Sequence, residues 1–89
     1  VPRDRIFTPE KWARTPDYMR HKLMWSFHRQ YQLEGMTRKE VEKLLGKGSN
    51  LQGSVEYKLK DDWIGGWRVY HIDYKQDRVI RAKETWQDW

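Results

Sequence analysis

The spacing of apolar residues changes along the chain and divides it into an irregular, a helical and an extended part. Residues 1–14 show no sustained period, so we expect an irregular N-terminal arm that packs through Ile6, Phe7 or Trp12, or frays. The remaining residues, 15–89, are expected to form a single α+β domain, because a chain of 89 residues has room for one small hydrophobic core.

The first predicted helix begins at Thr15, Pro16 and Asp17. Threonine is a favoured N-cap, proline fits the first helical position, and an acid in the first turn complements the helix dipole. Good helix formers then continue to about Gln32. The side chains that fall on one helical stripe, and that we expect in the core, are Met19, Leu23, Met24, Phe27 and Tyr31.

Two aromatic residues of this helix, Tyr18 and Trp25, are predicted on the opposite side, among Lys22 and Arg29. Exposed aromatic residues on a basic helix face indicate either an interaction site or a surface that another part of the chain covers. We favour coverage by the N-terminal arm.

The second helix has a more specific signal, Thr37 followed by Glu40 at the third helical position, which is a capping box. Met36 and Val41 occupy the positions of a hydrophobic staple, and Gly46 can adopt the left-handed conformation that ends a helix. The apolar face that should dock on the sheet consists of Val41, Leu44 and Leu45.

Beyond Gly46 the apolar period drops to two, which is typical of strands with one buried face. We predict a loop at 47–53, a strand carrying Val55, Tyr57 and Leu59, a loop at 60–66, a strand at 67–74, a turn at 75–77 and a third strand from Arg78 to about Trp86. The second of these strands presents Tyr70, Ile72 and Tyr74 on one face and Trp67, Val69, His71 and Asp73 on the other.

The order of elements is therefore α-α-β-β-β, and the fold class is α+β. Consecutive strands with short connections pair antiparallel, and two helices should cover one face of a three-stranded antiparallel sheet. The other face of that sheet is then partly open to water.

The amino-acid composition indicates a basic surface, and it excludes several kinds of functional site. The net charge is +5, and residues 1–32 carry seven Lys or Arg against three Asp or Glu. Such a surface attracts phosphates or acidic partners, although a solvated face that maintains solubility is the more ordinary interpretation. Because the chain has no cysteine, disulfides, thiolate metal sites and a cysteine nucleophile are excluded.

Residues 31–46 contain the capping box of the second predicted helix. They read Tyr-Gln-Leu-Glu-Gly-Met-Thr-Arg-Lys-Glu-Val-Glu-Lys-Leu-Leu-Gly. The run resembles the Gly-Met-Thr-x-x-Glu-Val-x-x-Leu-Leu-Gly signature of SmpA/OmlA-type (BamE-like) lipoprotein domains. The Tyr57-x-Leu59 strand, the alternating strand after it and Val79 follow in the same order as in that family. The resemblance covers about residues 19–83 and implies two helices packed on a three-stranded antiparallel sheet.

The same resemblance implies a non-enzymatic scaffold domain of the bacterial cell envelope, because the best-known members are outer-membrane lipoproteins of an assembly complex. Those members are anchored through a lipidated cysteine, which this sequence does not contain. We therefore expect either that an anchor which holds the domain near a membrane is absent from the present sequence because it was trimmed, or that no anchor ever existed. No binding residue of the family is transferred to this chain.

Histidine spacing argues against a metal site. His21 and His28 are seven residues apart, so two helical turns separate them by about 10.5 Å, which is too far for both to bind one metal ion. His71 and Asp73 share a strand face and could hydrogen-bond, but a His–Asp pair without a positioned nucleophile is only part of a catalytic triad.

Asp61 and Asp62 lie in a predicted loop, and two carboxylates without a longer ligand series are weak evidence for a cation site. The glycines at 46, 48 and 53 are not followed by the Gly-Lys-[Ser/Thr] of a phosphate-binding loop. We therefore expect no enzymatic activity, no cofactor and no metal.

The expected function is a non-enzymatic protein-interaction or scaffold domain, located at the periplasmic face of the envelope or, alternatively, in the cytoplasm. The alternative function is a small basic nucleic-acid-binding domain, whose binding would be weak and non-specific because an RNP-like motif and a dense Lys/Arg cluster are absent from the sequence. The expected partner is another protein of unknown identity. The candidate interaction residues are Tyr18, Lys22, Trp25 and Arg29 on the first helix and Trp67, His71 and Trp86 on the strands.

Overall fold

The structure, a computed structural model, describes residues 2–62 and 64–88; Val1, Trp63 and Trp89 lie outside the described residues. The chain folds as α+β, with helices packed on one face of an antiparallel sheet. The helices are α1 Pro9–Arg14, α2 Met24–Gln30 and α3 Arg38–Leu45, with 3₁₀ helices at Arg3–Arg5 and Asp17–Leu23. The strands are β1 Ser49–Leu51, β2 Ser54–Asp62, β3 Gly66–Lys75 and β4 Arg78–Asp88.

The described part of the chain forms a four-stranded sheet in the order β1-β2-β3-β4, so the predicted count of three strands is corrected. The additional strand, β1, lies within the predicted loop 47–53 and pairs with β2 from Ser49↔Glu56 to Leu51↔Ser54. Periodicity did not indicate it because its three residues are all exposed. The hairpin that joins it to β2 turns at Gly53, whose φ of 79° favours glycine.

The first fourteen residues are more ordered than the sequence analysis expected. The hydroxyl of Thr8 accepts a hydrogen bond from the backbone nitrogen of Lys11 and caps α1, whose first residue is a proline. Of the three candidate anchors, Phe7 and Trp12 are each only 1% exposed, whereas Ile6 is exposed. The N-terminal segment is therefore part of the hydrophobic core.

The predicted helix 16–32 is two elements, a 3₁₀ helix followed by α2. Thr15 is not its N-cap, because the Thr15 hydroxyl donates to the carbonyl oxygen of Lys11 at 2.6 Å and so caps the end of α1 instead. The predicted core stripe is confirmed at Leu23, Met24 and Phe27, which are buried. Tyr31 is partly buried against the same core.

Helix α3 begins as predicted. Both hydrogen bonds of the capping box between Thr37 and Glu40 are present, and Gly46 at its end has a φ of 69°. Val41 and Leu45 are buried, whereas Leu44 is only partly buried at the margin of the core.

The core lies between the helices and one face of the sheet. Phe7 packs on Phe27 with ring centroids 4.8 Å apart, and Phe27 packs on Tyr70 at 5.8 Å, which joins the N-terminal segment, α2 and β3. The predicted buried face of β2 is confirmed, and on β3 the face that joins the core is the one with Tyr70, Ile72 and Tyr74. The core residues of β2 are Val55, Tyr57 and Leu59.

Val79 and Ile80 are adjacent on β4 but differ in burial. Val79 is buried, whereas Ile80 is exposed at the irregularity where Tyr74 pairs with Val79 and Asp73 pairs with Arg81. The strands also extend further than predicted: β2 reaches Asp62 and β3 begins at Gly66, so the connection between them is shorter than the predicted loop 60–66.

Candidate protein-interaction surface

The helices pack on one side of the sheet, and the opposite side carries polar residues and one tryptophan. Residues that pair across strands project to the same side, so the register identifies this surface, which we call the outer face. It consists of Ser54, Glu56, Lys58 and Asp61 on β2, Trp67, Val69, His71 and Asp73 on β3, and Arg81, Lys83, Thr85 and Gln87 on β4.

A hydrogen-bond network centred on His71 fixes the middle of the outer face. The Nδ1 atom of His71 lies 2.7 Å from Oε2 of Glu56, and its Nε2 atom lies 2.9 Å from Oδ1 of Asp73. Asp73 also accepts hydrogen bonds from the Ser54 hydroxyl at 2.6 Å and from Nε of Arg81 at 3.0 Å. The expectation that His71 and Asp73 hydrogen-bond is confirmed.

Both nitrogens of the His71 ring face a carboxylate, and an ionised carboxylate can only accept hydrogen bonds. The ring therefore donates from both sides, which requires the imidazolium form. The hydrogen bond to Glu56 contributes most to raising the pKa of His71. The hydrogen bond from Ser54, joined by those from Arg81 and His71, lowers the pKa of Asp73 to about 2.

This arrangement differs from a catalytic triad in its order. In a triad the histidine lies between the serine and the acid and removes the serine proton. Here Asp73 lies between Ser54 and His71, and the Ser54 hydroxyl donates a hydrogen bond to Asp73. A protonated His71 held by two carboxylates has no lone pair with which to act as a general base.

A groove of about 510 Å³ lies beside this network. Trp67 is half-buried there, with the Lys58 ammonium 5.8 Å from its ring centroid, and Lys58 forms an ion pair with Asp61. Val69, next to it, is only 2% exposed although it belongs to the outer face. The residues lining the groove are Asp17, Ser49, Glu56, Lys58, Asp61, Trp67 and Val69.

The two aromatic candidates of the first predicted helix are not covered. Tyr18 is 50% exposed and Trp25 is 58% exposed, so the expectation that the N-terminal arm covers them is wrong. The arm instead inserts Phe7 and Trp12 into the core.

The four candidate residues of the first predicted helix form two pairs. Tyr18 and Lys22 line one cavity of about 480 Å³, and Lys22 lies 3.5 Å from the carboxylate of Asp4. Arg29 stacks over the Trp25 ring at 4.9 Å.

Trp86 does not lie on the outer face with Trp67 and His71. Its partner across the strands is Arg68, which lies on the same side of β3 as Tyr70, because alternate residues of a strand share a face. Trp86 is 45% exposed and belongs to the helix-covered side of the sheet, at the end near Gly66. The candidate interaction residues predicted on the strands therefore lie on two different faces of the sheet.

The remaining candidate ligands do not form a metal site. His28 pairs with Glu84 at 2.9 Å, whereas burial and nearby cations lower the pKa of His21. Asp61 is at the end of β2 rather than in a loop. Within residues 2–62 and 64–88, no group of three or more His, Asp or Glu side chains is arranged to hold a metal ion.

The sequence did not reveal Glu56 as the second hydrogen-bond partner of His71. Glu56 pairs with His71 across β2 and β3, and Gln87 donates to the same Glu56 oxygen at 2.7 Å. Period-two alternation places Glu56 on a polar face, but only the strand register shows that it is opposite His71. No local motif in the sequence gives that register.

The chain was also compared with family models, with curated proteins and with solved structures, and none of them matches it. The fold described above therefore defines the class, an α+β domain with helices on one face of an antiparallel sheet. Among the described helices, none has the length and apolar character that crossing a membrane requires.

Proposed function

We propose that this chain is a non-catalytic protein-interaction domain that binds a protein partner through the outer face. The observation that carries the proposal is the groove at Trp67, which is lined by residues of the outer face and by Asp17 at the start of the 3₁₀ helix. Aromatic residues surrounded by a polar rim are typical of interface centres. Trp67 provides the apolar centre here, above the buried Val69, and Lys58, Asp61 and Glu56 provide the rim.

The hydrogen-bond network supports a binding role because it holds the rim in place before a partner arrives. Glu56 and Asp73 have side chains that are only 12% and 20% exposed, and each accepts hydrogen bonds from two or more neighbours. Ordered side chains lose little conformational freedom on association, which favours affinity. The same network argues against catalysis, since both ring nitrogens of His71 contact carboxylates and the Ser54 hydroxyl is hydrogen-bonded to Asp73 rather than to His71.

Strand β4 supplies a second element of the same surface. It is eleven residues long and lies at one edge of the sheet. Its first residues are covered, because Val79 exchanges backbone hydrogen bonds with Gly35 and Met36. Exposed edges can pair with an extended segment of another chain. Arg81 and Lys83, which lie on β4 and on the outer face, give this edge a positive charge.

Localisation in the cell envelope is part of the proposal and is supported by the resemblance of residues 31–46 to the SmpA/OmlA signature. Fractionation of the full-length protein in its own cells would test it. Recovery with membranes or periplasm supports the envelope location, whereas recovery in the cytoplasmic fraction contradicts it.

The interaction itself is tested by photo-crosslinking in cells. A benzophenone amino acid is placed at Lys83 on the outer face and, as a matched control, at exposed Lys39 on α3. We expect a discrete protein adduct from the Lys83 position and none from the Lys39 position. Equal labelling from both positions, or no protein adduct from Lys83, would contradict the proposed surface.

A further inference from the structure

A second surface, on the helix-covered side of the sheet, combines positive charge with aromatic residues. Lys60, Arg68 and Trp86 form a row across three strands, because Lys60 pairs with Arg68 and Arg68 pairs with Trp86. The row lies at the end of the sheet beyond the core residues, and all three side chains are exposed. Together with Asp61 and Asp62 they line a cavity of about 180 Å³.

Cations from the N-terminal segment and the 3₁₀ helix extend this row. The charges of Lys60, Arg68, Arg5 and Lys22 all act on the His21 ring, and together with its burial they lower its pKa. Residues from four separate parts of the chain are therefore brought close to one imidazole by the fold. We call this group, with His21, the basic patch.

Most of the positive charge in the basic patch is not neutralised. Lys22 lies 3.5 Å from Asp4, and the nearby Asp61 is paired with Lys58. Among the described residues, Arg5, Lys60 and Arg68 make no ion pair. Asp62 lines the same cavity, so these three cations have one nearby carboxylate against them, and the net positive charge that remains attracts anions.

The pairing of Lys60 with Arg68 is unfavourable for the fold. Like charges directly opposite each other on neighbouring strands destabilise a sheet. A residue pair that costs stability, at an exposed position where neutral residues would fit, is typical of a functional site.

Aromatic side chains flank the basic patch on the helical side as well. Trp25 is one helical turn beyond Lys22, is 58% exposed, and has the Arg29 guanidinium over its ring. An aromatic ring next to a positively charged groove is the combination that binds single strands, in which bases stack and phosphates pair with cations.

We propose that the basic patch binds single-stranded nucleic acid without sequence preference, with the phosphates on Arg5, Lys60 and Arg68 and a base stacked at Trp25. This surface is distinct from the outer face and goes beyond the protein-interaction function. Because the patch offers few cations, affinity is modest and falls as salt rises, with a slope that reflects the small number of phosphate contacts.

Fluorescence anisotropy with labelled oligo(dT) and oligo(U) of 20 nucleotides, over a series of salt concentrations, tests the proposal. The double variant Lys60→Gln/Arg68→Gln is expected to bind at least tenfold more weakly and with a shallower salt slope. Lys39→Gln/Lys43→Gln, which removes the same charge from exposed positions on α3, is the matched control and should bind like the unchanged protein. Equal losses in the two double variants would show a non-specific net-charge effect and would overturn the proposal.

Two further measurements separate the alternatives. Trp25→Ala should weaken oligonucleotide binding several-fold without changing the salt slope, because it removes stacking and no charge. Thermal melting should show that Lys60→Gln/Arg68→Gln is at least as stable as the unchanged protein, so that weaker binding does not reflect unfolding. Binding to vesicles with anionic headgroups or to polyglutamate, with no binding to either oligonucleotide, would overturn the assignment to nucleic acid.

Discussion

The indole nitrogen of Trp12 donates a hydrogen bond of 2.9 Å to the carbonyl oxygen of Leu45. This contact joins α1 to the last turn of α3, where backbone carbonyls lack partners within the helix. It explains why the N-terminal segment is a structural part of the domain. Trp12 also packs edge-on against Tyr57 at 6.1 Å, so one side chain holds α1, α3 and β2 together.

Replacing Trp12 with Phe is expected to destabilise the domain by about 1–3 kcal/mol, because a buried carbonyl then loses its donor. Urea unfolding followed by circular dichroism measures the change. Trp25→Phe is the matched control, since Trp25 is 58% exposed, and it should change stability by about 0.5 kcal/mol or less. Equal effects of the two substitutions would contradict the structural role of the N-terminal segment.

Leu44 and Leu45 are adjacent on α3 but differ in burial, and they provide a second test. Leu45 is 2% exposed within the core, so Leu45→Ala should cost about 2–5 kcal/mol. Leu44 is only partly buried, so Leu44→Ala should cost clearly less. The two unfolding free energies, measured under the same conditions, check the orientation of α3, and a larger loss at Leu44 would show that the helix is rotated.

The turn between β3 and β4 contains strain that a substitution can relieve. Gln76 and Asp77 have φ values of 52° and 61°, a conformation that costs most side chains about 1–2 kcal/mol. Gln76→Asn should raise the melting temperature, because asparagine adopts this conformation more readily. Gln76→Val should lower it, and a melt in which both variants behave alike would contradict the turn geometry.

His71 makes stability depend on pH. Its pKa is raised in the folded state by Glu56 and Asp73, so the folded state binds the proton more tightly than the unfolded chain does. The stabilisation is fully present below the unfolded pKa of about 6.5 and is lost as pH rises through the raised folded value.

We therefore expect the unfolding free energy of the unchanged protein, relative to His71→Gln, to fall as the pH rises from 5.5 to 9. Arg81 and Lys83 are the other charged groups that face this network. A difference between the two proteins that stays constant with pH would contradict the doubly hydrogen-bonded imidazolium.

Local sequence patterns predicted the helices and strands correctly where each pattern was compatible with only one structure. The capping box at Thr37 and the alternation in β2 and β3 are confirmed in the structure. The sequence Thr-Pro-acid, however, occurs at both Thr8 and Thr15. Only Thr8 caps the start of a helix, because the hydroxyl of Thr15 is engaged with the carbonyl of Lys11 behind it.

The candidate site was less predictable because it depends on register. Trp67 and Trp86 both lie on strands, yet they project to opposite faces. The irregularity between Asp73 and Tyr74 inserts Ile80 into β4 and shifts every later residue of that strand by one position. A single inserted residue of this kind reverses the face on which a side chain lies, and the sequence does not show it.

The central claim is that the outer face binds a protein. The most direct test uses the partner protein identified by crosslinking at Lys83 and measures its affinity for two tryptophan variants of this chain. Biolayer interferometry would compare Trp67→Ala, on the outer face, with Trp25→Ala, on the helical side. We predict that Trp67→Ala weakens binding at least tenfold, as expected for an aromatic interface centre, and that Trp25→Ala leaves it unchanged. Unchanged affinity for Trp67→Ala together with a loss for Trp25→Ala would contradict the account.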